Sequence, residues 1–192
     1  MFDAVRDFLS IRQSPERMKA RALHEAVILA ARRPVLYTHA GVPDTVDGRL
    51  DCIALHAFML FRRMTGVAGW DEIGSELSSE IVADFDRSLR EMGIGDMSIG
   101  KKVKRTSQVF FHRFDAYWGA VTEAEGAEPL SALLPRTVFQ GNPVSEEDVA
   151  AMIRYMEAQH AHLGALDATA ILDGALSFAD PTPFFPEARG LE

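Results

Sequence analysis

The stretch DEIGSELSSEIVADFDRSLREM, residues 71–92, places Ile73, Leu77, Ile81, Phe85, Leu89 and Met92 three or four apart, with charges between them. That spacing returns to one side of an α-helix at every step, so it predicts an amphipathic helix with its apolar stripe on a core. Gly93 and Gly95 end it, because glycine takes the left-handed conformation that closes a helix without a Cβ clash.

The same periodicity extends on both sides. Upstream, Leu50, Ile53, Ala54, Ala57, Phe58, Phe61 and Met64 predict a core-facing helix from about Asp47 to Met64. Val35 to Gly48, punctuated by Gly41, Pro43 and Asp44, reads as a loop, with a helix cap from Asp44, Thr45 or Asp47. Ser14-Pro15-Glu16 is a helix start, and the helix runs to about Arg32 before Pro34, with Met18, Ala22, Val27 and Leu29 on its apolar side. A short helix, Phe2 to Leu9, precedes it.

Downstream, Val103, Ser107, Phe110, Phe114, Tyr117 and Val121 predict a helix from about Ser98 to Glu123. A short helix near Leu130–Phe139 leads to Ser145-Glu146-Glu147-Asp148, an acidic start of capping-box type for a helix to about Leu163. A weaker helix spans Ala168 to Leu176, and the proline-rich tail from Pro181 cannot continue it. With no alternating strand pattern, the fold class is all-α: one compact domain of about six to eight helices. Its segments are 1–36, 37–165 and 166–192, the last a helix and Pro-rich tail packed on the same domain.

Of the 192 residues, 47% are hydrophobic and 25% charged, enough to bury a core without disulfides or metals. Cys52 is the sole cysteine, which excludes an intrachain disulfide and a cysteine-based zinc site and suits a reducing compartment. No stretch approaches the ~20 apolar residues of a membrane span. The expected location is cytoplasmic, peripheral to the inner membrane at most, or the matrix side in a mitochondrion. The net charge of −8 sits in the last third: residues 1–119 hold 17 Lys and Arg against 16 Asp and Glu, residues 120–192 hold 3 against 12. That balance argues against DNA binding.

No motif carries catalysis. The glycines from Gly93 to Gly100 follow a helix rather than a strand and lack dinucleotide-loop spacing. The six histidines contain no metal-binding i, i+4 pair, so no metal or cofactor is expected. Arg49, His56 and Arg63 lie seven apart on one helix face. Lys101, Lys102, Lys104 and Arg105 put four cations in the first turns of a helix, against its dipole, and call for compensation by Asp84, Asp86, Glu91 and Asp96 or by an anionic partner.

Three stretches together carry a resemblance: Tyr37-Thr-His-Ala-Gly-Val-Pro-Asp-Thr-Val-Asp-Gly-Arg-Leu-Asp51, Asp84-Phe-Asp-Arg-Ser-Leu-Arg-Glu-Met-Gly-Ile-Gly-Asp96 and Ser98-Ile-Gly-Lys-Lys-Val-Lys104. With His56, Phe110, Arg113 and Tyr117 they resemble the ubiquinol-cytochrome c chaperone family. The resemblance implies a non-enzymatic assembly factor that holds newly made cytochrome b or its nascent chain. A small partner protein, the ribosome or the inner face of the membrane are further implied contacts. The implied partner-binding residues are Tyr37, Gly41, Pro43, Asp44, Asp47, Arg49, Asp51, His56, Asp86, Arg87, Arg90, Glu91, Gly93, Gly95, Asp96, Gly100, Lys101, Lys104 and Arg113. Of these, Asp44, Asp47, Arg87, Arg90, Asp96, Lys101 and Lys104 form one polar surface around several glycines if the 47–64 and 71–92 helices pack antiparallel. Two other readings remain: a ligand-binding or enzymatic pocket of Asp44, Asp47, His56 and Arg90, and a ribosome adaptor using Lys101 to Arg105.

Overall fold

The computed structural model describes residues 14–93 and 95–186, with Asp96 and Met97 described by their backbone alone. The expected Phe2–Leu9 helix lies outside the described residues. Among the described residues eight α-helices follow in order: α1 Pro15–Ala31, α2 Pro34–Thr38, α3 Val46–Met64, α4 Trp70–Glu91, α5 Asp96–Val121, α6 Leu130–Arg136, α7 Glu146–Ala165 and α8 Ala168–Leu172. A short 3-10 turn, Thr182–Phe184, comes last, and no strand occurs among the described residues.

The caps fall where the sequence signals them. Ser14 accepts from the Arg17 amide at 3.2 Å. Thr45 caps α3 by accepting from the Gly48 amide at 3.0 Å. Ser145 and Asp148 form the reciprocal capping box of α7. Gly93 closes α4 at φ 79°.

Helix α3 is the hub. Every residue from 51 to 60 is buried, because α1, α5 and α7 all pack against it. A helix buried all round must pair its polar members internally, and both Asp51 and His56 are paired. The α3–α5 seam is aromatic: Phe58 meets Tyr117 at 5.4 Å and Phe61 meets Phe114 at 5.3 Å between ring centroids. Across α1 and α4, the buried Glu80 accepts from Arg17 at 2.8 Å and Arg21 at 3.4 Å. Burial resists ionisation of Glu80, but the two arginines hold its carboxyl below the ordinary range.

Four expectations are corrected. Helices α3 and α4 do not pack along one another; each packs on α1 and α5, so they lie across a four-helix ring. The inner face of α1 is Ala20, Leu23, Val27 and Ala31, whereas Met18, Ala22 and Leu29 are exposed, because those three fall half a turn away on the opposite side of the helix. Pro34 opens the extra helix α2 inside the expected loop, since proline suits the first position of a helix. Met92 lies beyond α4 and is exposed, so the stripe ends at Leu89.

Candidate partner-binding site

The start of α3, the end of α4, the stretch of α5 from Lys102 to Arg113 and the end of α6 with the turn after it line a cleft of about 540 Å³. Helix α3 contributes Asp47, Leu50 and Asp51, and α4 contributes Leu89. Lys102, Arg105, Thr106, Val109 and Arg113 come from α5, and Arg136 and Gln140 complete the wall. The α5 residues recur at three- and four-residue intervals, so they form one stripe of that helix.

The floor is a connected polar network. Asp51, 2% exposed, accepts from Arg113 Nε at 2.7 Å and from Gln140 Nε2 at 3.0 Å. The Gln140 carbonyl accepts in turn from the Thr45 hydroxyl at 3.4 Å. Burial pushes the Asp51 carboxyl up from its ordinary range, while the bonds from Arg113 and Gln140 pull it back. Gln140 sits at φ 55°, a left-handed conformation that few residues other than glycine adopt. Its backbone is therefore held in a costly state at the point where its side chain joins α3 to the cap of the same helix.

The preceding loop is locked by Gly48. A Cβ there would stand 2.1 Å from the Pro43 carbonyl oxygen, so only glycine lets the loop fold back over the helix start. Gly41 takes φ 81° within that loop. On its outer side Asp44 pairs with Arg49 at 2.7 Å, and this bond holds the Asp44 carboxyl below its ordinary range. The Arg49 guanidinium lies 5.8 Å from the Tyr37 ring centroid, and the Tyr37 hydroxyl donates to the Ala31 carbonyl at 2.6 Å. Tyr37, Pro43, Asp44 and Arg49 thus brace the loop beside the cleft.

His56 lies on the far side of α3 within the core. Its Nδ1 donates to the Cys52 carbonyl at 2.8 Å, which leaves Nε2 to accept from the Tyr155 hydroxyl at 2.7 Å. Burial pushes the imidazole down to about 4, so it is neutral near pH 7. Arg63, one heptad on, donates to the Leu163 and Leu166 carbonyls at the end of α7. The Arg49–His56–Arg63 spacing is therefore mainly the seam onto α7. Asp44, Asp47, His56 and Arg90 do not converge: only Asp47 lines the cleft, and Arg90 pairs with Asp86 at 2.7 Å. Among the described residues, no group of three His, Cys, Asp or Glu side chains could hold a metal.

The basic run divides by face. Lys102 and Arg105 line the cleft; Lys101 does not, and Lys104 lies on another face with Phe111, His112 and Asp115. None of the four forms an ion pair among the described residues. Of the acids expected to compensate them, Asp84 pairs with Arg87 at 3.3 Å and Asp86 with Arg90, both within α4. Glu91 is exposed, and the Asp96 side chain is outside the described residues. The expected clash with the dipole is weak, because α5 begins at Asp96 and the cations lie beyond its first turn. Gly93, Gly95 and Gly100 are exposed, with nothing within 4 Å of a Cβ built on any of them. Of the sequence-derived site residues, Asp47, Asp51 and Arg113 meet in the cleft; Thr106, Val109, Arg136 and Gln140 join them unannounced.

A model of the family described as ubiquinol-cytochrome c chaperone matches residues 38–178, a span that contains the whole cleft. The chain belongs to this family. As a ubiquinol-cytochrome c chaperone family member, it falls in a class of chaperones. The crystal structure of the Cbp3 homolog from Brucella abortus is similar to it, with 28% sequence identity and a TM-score of 0.74, covering 92% of this chain and 97% of that one. No functionally curated protein shows significant similarity. No described helix is long and apolar enough to cross a membrane.

Proposed function

We propose that this ubiquinol-cytochrome c chaperone family protein assists assembly of the reductase by holding newly made cytochrome b, without catalysing a reaction, and that it meets its client at the α3–α5 cleft. The observation that carries this reading is the cleft itself: it lies wholly within the family-matched span, on a rigid floor formed by Asp51, Arg113 and Gln140. A pre-organised surface of mixed polar and apolar character suits transient recognition of a protein segment. The test is deletion of the gene in its host. The b-type haem signal and the assembled reductase should fall while unrelated soluble enzymes keep their activity; normal reductase levels would refute the reading.

A second reading rests on Lys101 and Lys104, which are exposed, lack ion pairs among the described residues and lie outside the cleft lining. They suit a contact with the ribosome, the inner face of the membrane or a small partner protein, which would keep the chaperone beside the site of synthesis. Association with ribosomes or anionic membranes that is lost with modest salt and with Lys101→Glu/Lys104→Glu would support it.

A further inference from the structure

We infer that the cleft takes an acidic, amphipathic peptide segment of the client, seating a client carboxylate against Lys102, Arg105 and Arg113 while apolar side chains rest on Leu50, Leu89 and Val109. This inference rests on the proposed function and adds the chemistry of the bound segment.

The charges of the cleft are unevenly committed. The buried Asp51 spends both carboxylate oxygens on Arg113 and Gln140. Arg136 is taken by Glu128, outside the cleft lining. Lys102, Arg105 and the exposed Asp47 are left without an ion pair among the described residues, so the uncommitted groups of the cleft hold two positive charges against one negative. Arg113 is the pivotal group. Its Nε is fixed by Asp51, its side chain is 23% exposed on the cleft wall, and its described bonds leave the terminal guanidinium nitrogens unused. An arginine whose orientation is already set loses little entropy on meeting a planar carboxylate through two parallel bonds.

The apolar wall decides between anions. Leu50, Leu89 and Val109 border the same space as the three cations, so the complementary ligand carries an acid and a hydrophobe close together. A phosphate group by itself leaves that apolar wall uncovered. The net charge of −8 also opposes approach to a broad polyanion, whereas it leaves a short acidic segment steered by the local field.

The probe is a short fluorescent peptide of leucine, glutamate and serine, beside its counterpart with every glutamate changed to lysine, titrated into the full chain at ~0.15 M salt, where long-range attraction is screened. The acidic peptide should bind and the lysine peptide should not. Lys102→Glu/Arg105→Glu should weaken binding at least about tenfold, and Lys102→Gln/Arg105→Gln by less in the same direction. Lys101→Glu/Lys104→Glu imposes the same charge reversal on those neighbouring α5 lysines outside the cleft and should change binding less than about twofold. Thermal unfolding of each variant verifies that it is folded; if the glutamate pair does not fold, the glutamine pair decides. Equal weakening by the cleft pair and the Lys101/Lys104 pair, or no binding of the acidic peptide, would overturn the inference. So would binding to phosphatidylglycerol vesicles that depends on Lys102 and Arg105 when peptide binding does not. Capture of cytochrome b separates the two levels: capture by the wild type that the cleft variants leave intact refutes the cleft chemistry alone. Peptide binding without capture refutes the client and leaves the cleft chemistry standing.

Discussion

Replacing Arg113 by methionine keeps most of the aliphatic packing but removes the cation beside Asp51. Breaking a buried pair on one side costs about 3–5 kcal/mol, because the remaining charge stays buried without its partner. The Asp51 side chain is 3% exposed and that of Arg113 is 23% exposed, so water reaches the vacated arginine site, and Gln140 still donates to the carboxylate. The lower end applies, about 3 kcal/mol, a fall in Tm of roughly 6–12 °C for a domain of this size. Asp51→Asn in the same background removes the stranded charge and should recover about 2 kcal/mol of that loss.

The pH dependence has a definite sign. The native Asp51 carboxyl is raised above its unfolded value, so its stabilising contribution is fully present below the unfolded pKa, near about 4, and is lost as pH rises through the native value. Without Arg113 the native value rises further, so the deficit of Arg113→Met should be largest near pH 7 and shrink on acidification. The His56 titration occurs in both proteins and cancels in their difference. Urea unfolding of wild type, Arg113→Met and Arg113→Met/Asp51→Asn at pH 7 and pH 5 measures all of this. An Arg113→Met stability within about 0.5 kcal/mol of wild type at pH 7, or no recovery with Asp51→Asn, would refute the view of Asp51 as a charged, arginine-dependent floor.

Gly48→Ala should lower Tm although alanine favours a helix by about 1 kcal/mol, because its Cβ meets the Pro43 carbonyl at 2.1 Å and overpacking of that kind costs about 1–3 kcal/mol; calorimetry checks it, and a higher Tm would mean that the loop gives way freely. His56 has its native pKa depressed to about 4 from an unfolded value near 6.5, so stability should fall as pH drops through that window, by up to about 3 kcal/mol. NMR should show an Nδ1-protonated imidazole that does not titrate until near pH 4, and a transition near 6.5 would contradict the Tyr155 bond.

The fold was largely legible because its longest helices bury large apolar side chains at regular intervals. Ile73, Leu77, Ile81 and Phe85 define α4 without ambiguity, and the caps at Ser14 and Ser145 follow from chemistry within one turn. The inner face of α1 was harder: Met18 and Leu29 recur at helical spacing as Leu23 and Val27 do, and hydrophobicity alone does not say which of two opposite faces is covered. Nothing local says that α3 and α4 lie across a ring, since periodicity fixes a buried face and not the neighbour that covers it. The cleft was half legible. Asp51 and Arg113 stand in stretches with family character, whereas Gln140 joins Asp51 from 89 residues away and has no local signature. Lys101 and Lys104 stood out as charges; only the register of α5 shows that Lys102 and Arg105 are the members of that run lining the cleft.

Affinity capture on this chain from solubilised membranes of its host, during active synthesis of the reductase, tests the central claim most directly. Newly made cytochrome b should co-purify with the wild type, ahead of the other reductase subunits, and should be reduced by Lys102→Glu/Arg105→Glu. Its absence from the wild-type capture, with the protein folded and abundant, would contradict the account.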